Sequence, residues 1–210
     1  DVHFRVIAND ILSYVPSPDA VVLDYSCGEA LFAAQVASAC QKLILAEPAP
    51  GVRGRLTARF GPNPKIAVRS LDELGQLSDR SVDLAVMISV AQYMTPAELD
   101  TAFALMRRIL KPNGLLILMQ PNFKYCSETY FDDYTHIQIF TDASLYDFLE
   151  AYGFAIRDAF PKFMPVGSMP ALRSFSFISK GFTQLFVGPA SSFVFEQMNV
   201  KFSVLATSDG

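Results

Sequence analysis

Apolar residues return at helical spacing at the start of the chain, at Phe4, Ile7, Ala8, Ile11, Leu12 and Val15, until Pro16 and Pro18 break the run. This predicts an amphipathic entry helix within residues 1–19. Short, mostly apolar runs then alternate with helical stretches. They read as strands at Ala20 to Leu23, Lys42 to Ala46, Lys65 to Arg69, Val82 to Ser89 and Gly114 to Gln120. Such alternation predicts an α/β chain, a parallel sheet covered by helices on both faces. The clearest helix starts with Pro96 in its first turn and runs to Leu110. It turns Leu99, Phe103, Met106 and Leu110 inward, and Lys111-Pro112-Asn113-Gly114 stops it.

Beyond Gln120 the pattern changes. Pro121 to Phe140 is a long, aromatic, largely non-periodic connection, and loops of that length are usually functional or mobile. Thr141-Asp142 caps a helix carrying Leu145, Phe148, Leu149 and Tyr152, which Gly153 ends before a strand at Phe154 to Phe160. The stretch from Pro161 to Ser192 is rich in Phe, Met, Pro, Gly and Ser. It reads as a lid or insertion, with a short helix near Leu172 to Phe186. A last strand, Phe193 to Ala206, is expected to pair antiparallel with Phe154 to Phe160. The 210 residues suit one domain, and no internal repeat or low-complexity tract is visible.

Composition narrows the class. Lys and Arg number 17 against 21 Asp and Glu, a net charge of -4 with no block of either sign. That balance argues against a nucleic-acid partner. Cys27, Cys40 and Cys126 are odd in number and far apart, so neither a disulfide framework nor a metal knuckle is expected. No uninterrupted apolar run reaches the ~18 residues of a membrane span, and the N-terminal residues lack the pattern of a secretory signal. A cytoplasmic protein without a transmembrane segment is the expectation.

The candidate chemistry begins where Ala20-Val21-Val22-Leu23 runs into Asp24 and a turn of small residues, with the next helix expected near Glu29. Doubly wound sheets bind ligands in such crevices. Gly28 lets a ligand approach the backbone, and Ser26 and Ala30 are small. Taken alone the turn reads equally well as a tight strand-to-helix connection. Glu47 adds weight, because it closes the next strand about twenty residues on, where a carboxylate accepts ribose hydroxyls. Its plainer reading is a solvated strand-end carboxylate. A pyrophosphate would need an unobstructed positive helix N-terminus, whereas Asp24 and Glu29 flank this turn. S-adenosylmethionine carries no phosphate but does carry a sulfonium and an ammonium, which suit acidic neighbours.

The string Val21 to Ala30 resembles the first motif of class I S-adenosylmethionine-dependent methyltransferases. Ser81-Val82-Asp83-Leu84-Ala85-Val86 with Ser89-Val90-Ala91-Gln92-Tyr93-Met94 resembles the family's fourth strand and following loop, and Arg107 to Leu116 its next turn into a strand. The resemblance spans Val21 to Phe160 and departs from the family where Ser26 and Ala30 replace glycines of the cofactor turn. It implies a doubly wound, Rossmann-like three-layer sandwich whose seven-stranded, mostly parallel sheet ends in an antiparallel C-terminal edge. By resemblance, Asp24, Ser26, Cys27 and Gly28 hold the methionyl part of the cofactor and Glu47 its ribose. Ser70, Leu71 and Asp72 lie by the adenine, and Ser89 and Gln92 line the floor beneath the sulfonium. Asp83 is expected to be structural. S-adenosylhomocysteine would be the product.

Methyl transfer from a sulfonium is an in-line displacement that demands alignment and exclusion of water. A general base helps a hydroxyl acceptor. His136 is the candidate, with Tyr93, Asn122, Tyr130 and Tyr134 expected to wall an acceptor pocket. A histidine that merely ties the loop to the core is the alternative. Asp133-Tyr134-Thr135-His136 with Phe140-Thr141 and Ser144-Leu145 also resembles a bacterial subset linked to glycan or lipid modification. The expected acceptor is therefore a small molecule, a glycan or a lipid-like compound, methylated at O or N. A magnesium site at Asp132, Asp133 and His136 is disfavoured, since no second ligand cluster is visible, so no metal is expected. The Phe-rich segment is read as a greasy acceptor pocket, a membrane-surface contact, a homodimer interface or simply a covering layer. A non-catalytic S-adenosylmethionine-binding protein and an NAD-dependent oxidoreductase stand as rivals.

Overall fold

The structure, a computed structural model, describes residues 2–163 and 199–206. The entry helix α1 (Val2–Tyr14) leads into β1 (Val21–Tyr25), α2 (Ala33–Ser38), β2 (Lys42–Ala46), α3 (Pro50–Phe60), β3 (Ile66–Arg69) and β4 (Val82–Ile88). After these come α4 (Pro96–Ile109), β5 (Leu110–Pro121), α5 (Phe123–Cys126), α6 (Asp142–Ala151), β6 (Phe154–Phe163) and β7 (Asn199–Ala206). Strands β1 to β5 form a parallel sheet in the order β3-β2-β1-β4-β5, a doubly wound, Rossmann-like arrangement. On the outer side of β5, the described residues of β7 run antiparallel to it, with Leu115 opposite Leu205, and β6 pairs antiparallel with β7.

Period-two alternation on the sheet explains the layering. Leu23, Ala85, Met87, Leu116 and Leu118 face one way, onto α4 and α6. Val22, Leu84, Val86 and Ile117 face the other, onto α1, α2 and α3. Helix α4 follows its sequence pattern closely. Thr95 caps it through a reciprocal pair in which Thr95 Oγ1 accepts from Glu98 N at 3.3 Å and Glu98 Oε2 accepts from Thr95 N at 2.7 Å. Its Phe103 is fully buried, edge-on to Phe148 at 4.8 Å between ring centroids. Asp83, at the opposite end of the sheet from the turn, accepts Val21 N and pairs with Lys111 at 2.8 Å, stitching three strands together.

Several boundaries differ from the sequence reading. Strand β5 begins at Leu110, and the Lys111-Pro112-Asn113 turn bulges out between the Val82–Leu110 and Leu84–Leu115 pairs, with Asn113 at φ 62. The connection after β5 is not structureless, for it folds α5 and a 3-10 turn at Tyr130–Asp132. Pro161 to Phe163, placed at the start of the expected lid, continue strand β6. The rest of that segment, its short helix near Leu172 to Phe186, and the strand positions before Asn199 lie outside the described residues.

Candidate functional site

The turn after β1 is built from alternating left-handed residues. Ser26 (φ 57), Gly28 (φ 56) and Ala30 (φ 44) all have positive φ, a region that glycine enters freely and other residues enter at a cost of about 1 kcal/mol or more. Cys27 N donates to Ala46 O at 3.0 Å, tying the turn to the end of β2. The helix does not begin near Glu29, as its sequence suggests, but at Ala33, because a left-handed Ala30 cannot sit inside a right-handed helix. Glu29 borders the cavity, but its exposed carboxylate pairs with Arg55, and the Arg59 guanidinium bonds its carbonyl, so its charge is largely balanced.

Glu47 and Asp24 supply the negative charge instead. Glu47 is buried at the end of β2, where Oε2 accepts Gly28 N at 3.0 Å and Oε1 accepts Ala49 N at 2.9 Å. An ionised carboxylate offers about four lone-pair sites, so each oxygen retains one for a further donor such as a ribose hydroxyl. Asp24 borders the cavity, and among the described residues no hydrogen bond reaches its carboxylate. Burial, reinforced by Glu47 nearby, pushes its carboxyl up to about 7. Burial also raises the Cys27 thiol far above its usual range, which leaves Cys27 a packing residue rather than a nucleophile.

A cavity of about 520 Å³ opens beside this turn, lined by Asp24, Ser26, Cys27 and Gly28 and walled by α1, α2 and the faces of β1 and β4. The sequence reading missed its apolar wall, Ile7, Ala8, Ile11, Leu31 and Phe32, although the stripe along the entry helix was its signal. The residues fit S-adenosylmethionine: an unpaired carboxylate for its cationic end, free lone pairs on Glu47, and glycine where the backbone comes close. Glu47, Leu71, Asp72, Ser89 and Gln92 do not line this cavity; Glu47 meets the turn through Gly28 N. Leu71 packs against the core on the α4 side, and Asp72 is exposed at the start of a 3-10 turn. Ser89 (φ 54) follows β4, one strand away from the cofactor turn, since Asp24 is in register with Val86.

The loop after β4 meets the loop after β5. Gln92 O accepts Ile137 N at 2.9 Å and Gln138 N at 3.0 Å, which brings His136 against Tyr93. The imidazole lies between Tyr93 and Tyr130, with centroids 4.9 and 4.5 Å away, and its Nδ1 is 2.6 Å from Tyr130 O. A carbonyl only accepts, so Nδ1 carries the proton and Nε2 of the neutral ring is left as an acceptor. Buried Nε2 has no hydrogen-bond partner among the described residues, nor have the carboxamide atoms of Gln92 and Gln120. Gln120 was not singled out by the sequence reading, yet it is the one amide that closes the otherwise apolar run Leu115 to Met119.

Of the expected pocket walls, Tyr93 is half-exposed and Tyr134 is 90% exposed. Tyr130 is buried and donates its hydroxyl to Gln138 O. Asn122 is fully buried and works as a loop anchor, accepting Lys124 N at 3.2 Å and donating to Pro161 O at 3.0 Å. Among the described residues no group of three or more His, Cys, Asp or Glu side chains is arranged to hold a metal ion, and no helix is long and apolar enough to cross a membrane.

Residues 23–118, which include the cofactor turn, Glu47 and β4, match the family described as Methyltransferase domain. Solved structures share the whole fold at low identity. An S-adenosylmethionine-dependent methyltransferase from Mesorhizobium loti is 15% identical with a TM-score of 0.67, covering 98% of this chain and 98% of its own. One from Archaeoglobus fulgidus is 17% identical with a TM-score of 0.63, covering 96% and 93%. A geranyl diphosphate methyltransferase in complex with S-adenosylmethionine is 14% identical with a TM-score of 0.69, covering 96% and 84%. The comparison with curated proteins finds no match. Residues 23–118 thus match a methyltransferase domain, carried on a fold shared with S-adenosylmethionine-dependent methyltransferases.

Proposed function

We propose that the protein transfers a methyl group to an oxygen or nitrogen atom of a small-molecule, glycan or lipid-like acceptor admitted beside the loops after β4 and β5. Asp24 would hold the cationic end of the cofactor, Glu47 its ribose, and the backbone at Ser26, Cys27 and Gly28 its methionyl part. Leu71 and Asp72 are assigned to the adenine side, Ser89 and Gln92 to the floor. When bound, S-adenosylmethionine supplies an electrophilic methyl on a sulfonium, and the protein's own task is alignment and exclusion of water. The observation that carries this reading is the unpaired Asp24 carboxylate at a cavity whose rim is the Ser26 to Gly28 turn. The same reading takes β7 and β6 as the antiparallel C-terminal edge of a seven-stranded sheet, supported by their pairing registers.

The acceptor named for the geranyl diphosphate methyltransferase is an anion, and this chain's loop does not favour one. From Pro121 to Asp142 the only cation is Lys124, against Glu128, Asp132, Asp133 and Asp142. The test is transfer of labelled methyl from S-adenosylmethionine to pooled alcohols, amines, glycans and lipids, with Asp24→Asn and Glu47→Gln alongside. Transfer that both variants depress supports the reading. Cofactor binding without transfer to any pool would point to the non-catalytic alternative.

A further inference from the structure

We infer that the acceptor is a neutral hydroxyl compound with an apolar body, and that His136 Nε2 takes its proton. This deepens the proposed function and rests on it. Nε2 is buried and unpaired, its tautomer fixed by the bond from Nδ1 to Tyr130 O. A buried polar atom without a partner costs about 1–3 kcal/mol, so a donor placed there recovers free energy that a structural histidine would leave lost. The nearest charge to Nε2 is Asp133 Oδ2, 3.7 Å away, too far to bond it but close enough to stabilise an imidazolium. Thr135 donates to Asp133 from both its hydroxyl and its backbone amide, and these bonds hold that carboxyl below its ordinary range. The groups facing the imidazole are thus Tyr93 from the β4 loop and Tyr130 and Asp133 from its own.

Access runs through Tyr93. Its hydroxyl donates to the same Asp133 oxygen at 3.1 Å, and its ring stacks on His136. Both partners are partly exposed, and an exposed polar contact of this kind contributes at most about 1 kcal/mol, so it opens cheaply. Around it, among the described residues, Phe131, Tyr134, Ile137 and Ile139 expose apolar surface that a greasy acceptor would cover. In the reaction the acceptor oxygen forms its bond to the methyl carbon as its proton passes to Nε2. The electron pair of the broken carbon–sulfur bond stays with sulfur, which becomes a neutral thioether. An amine or an anion would gain little from this arrangement. A neutral amine attacks before it loses a proton, and a phosphate or carboxylate meets acidic neighbours.

The experiment compares phenol with aniline and phenyl phosphate, and 1-dodecanol with dodecylamine and dodecyl phosphate, as methyl acceptors. The expected result is transfer to a neutral hydroxyl only. His136→Asn keeps a donor for Tyr130 O but has no Nε2. It should lose about 100-fold or more in kcat, while S-adenosylhomocysteine binds as in the parent by calorimetry. Phenol added with S-adenosylhomocysteine should also shift the His136 Nε2 resonance by NMR. Preference for the amine or phosphate, no transfer to either hydroxyl with cofactor bound, or an unchanged kcat in His136→Asn would each overturn the inference. Amine methylation would leave the proposed function standing. Failure of the parent to bind S-adenosylhomocysteine would strike that broader reading instead.

Discussion

At the level of single residues, the turn departs from glycine at Ser26 and Ala30 yet keeps the left-handed backbone glycine would adopt. Replacing either by glycine should therefore relieve strain, offset in part by the extra freedom of the unfolded chain. We expect a gain of about 0.5–1 kcal/mol for Ala30→Gly in chemical denaturation, without loss of cofactor affinity. A loss of stability would show that Ala30 makes contacts worth more than its torsional cost. Asp24 sets the pH response. Its carboxyl lies at about 7 when folded against an ordinary 3.8, so the folded protein holds a proton that the unfolded chain releases. That contribution lowers stability as pH rises through this window. A cation bound beside Asp24 favours the ionised form, with Glu47, Cys27 and Glu29 the other titratable groups at the turn. Affinity for S-adenosylhomocysteine should weaken by up to about tenfold from about pH 8 to about pH 6. Asp24→Asn should flatten that profile; an unchanged slope would place the cation elsewhere.

At the level of elements, α4 was legible because three signals coincide: a capping pair, Pro96 in the first turn and an apolar stripe. Thr95→Ala should cost about 1 kcal/mol, and Phe103→Ala about 3–5 kcal/mol, both read from urea unfolding midpoints. Equal small effects would mean that Phe103 does not carry the packing between sheet and α6. Helix α2 was misplaced because Glu29, Ala30 and Leu31 are all good helix formers, while the left-handed Ala30 is a tertiary outcome invisible in composition. The loop after β5 defeated periodicity for a different reason. Its order comes from Asn122, Tyr130 and His136 bonding backbone groups that are near in space, and no repeat encodes those partners.

At the level of the whole molecule, the parallel sheet could be read in advance because strands buried on both faces leave apolar runs, as in Leu43 to Ala46 and Leu84 to Met87. The cofactor turn was readable by order and spacing, Asp24, Gly28 and Glu47 being brought together where β1 and β2 end. What spacing could not supply was pairing: Asp24 and Glu29 both border the cavity, yet Glu29 is paired with Arg55 while, among the described residues, no hydrogen bond reaches the Asp24 carboxylate. The site therefore turns on the Asp24 carboxylate. Calorimetric titration of S-adenosylhomocysteine into the parent protein and into Asp24→Asn, at about pH 8 and with folding matched by circular dichroism, tests it directly. The predicted result is binding by the parent and a loss of about tenfold to a hundredfold in the variant, the worth of a hydrogen bond to a charged group. Equal affinity in the two proteins would contradict it.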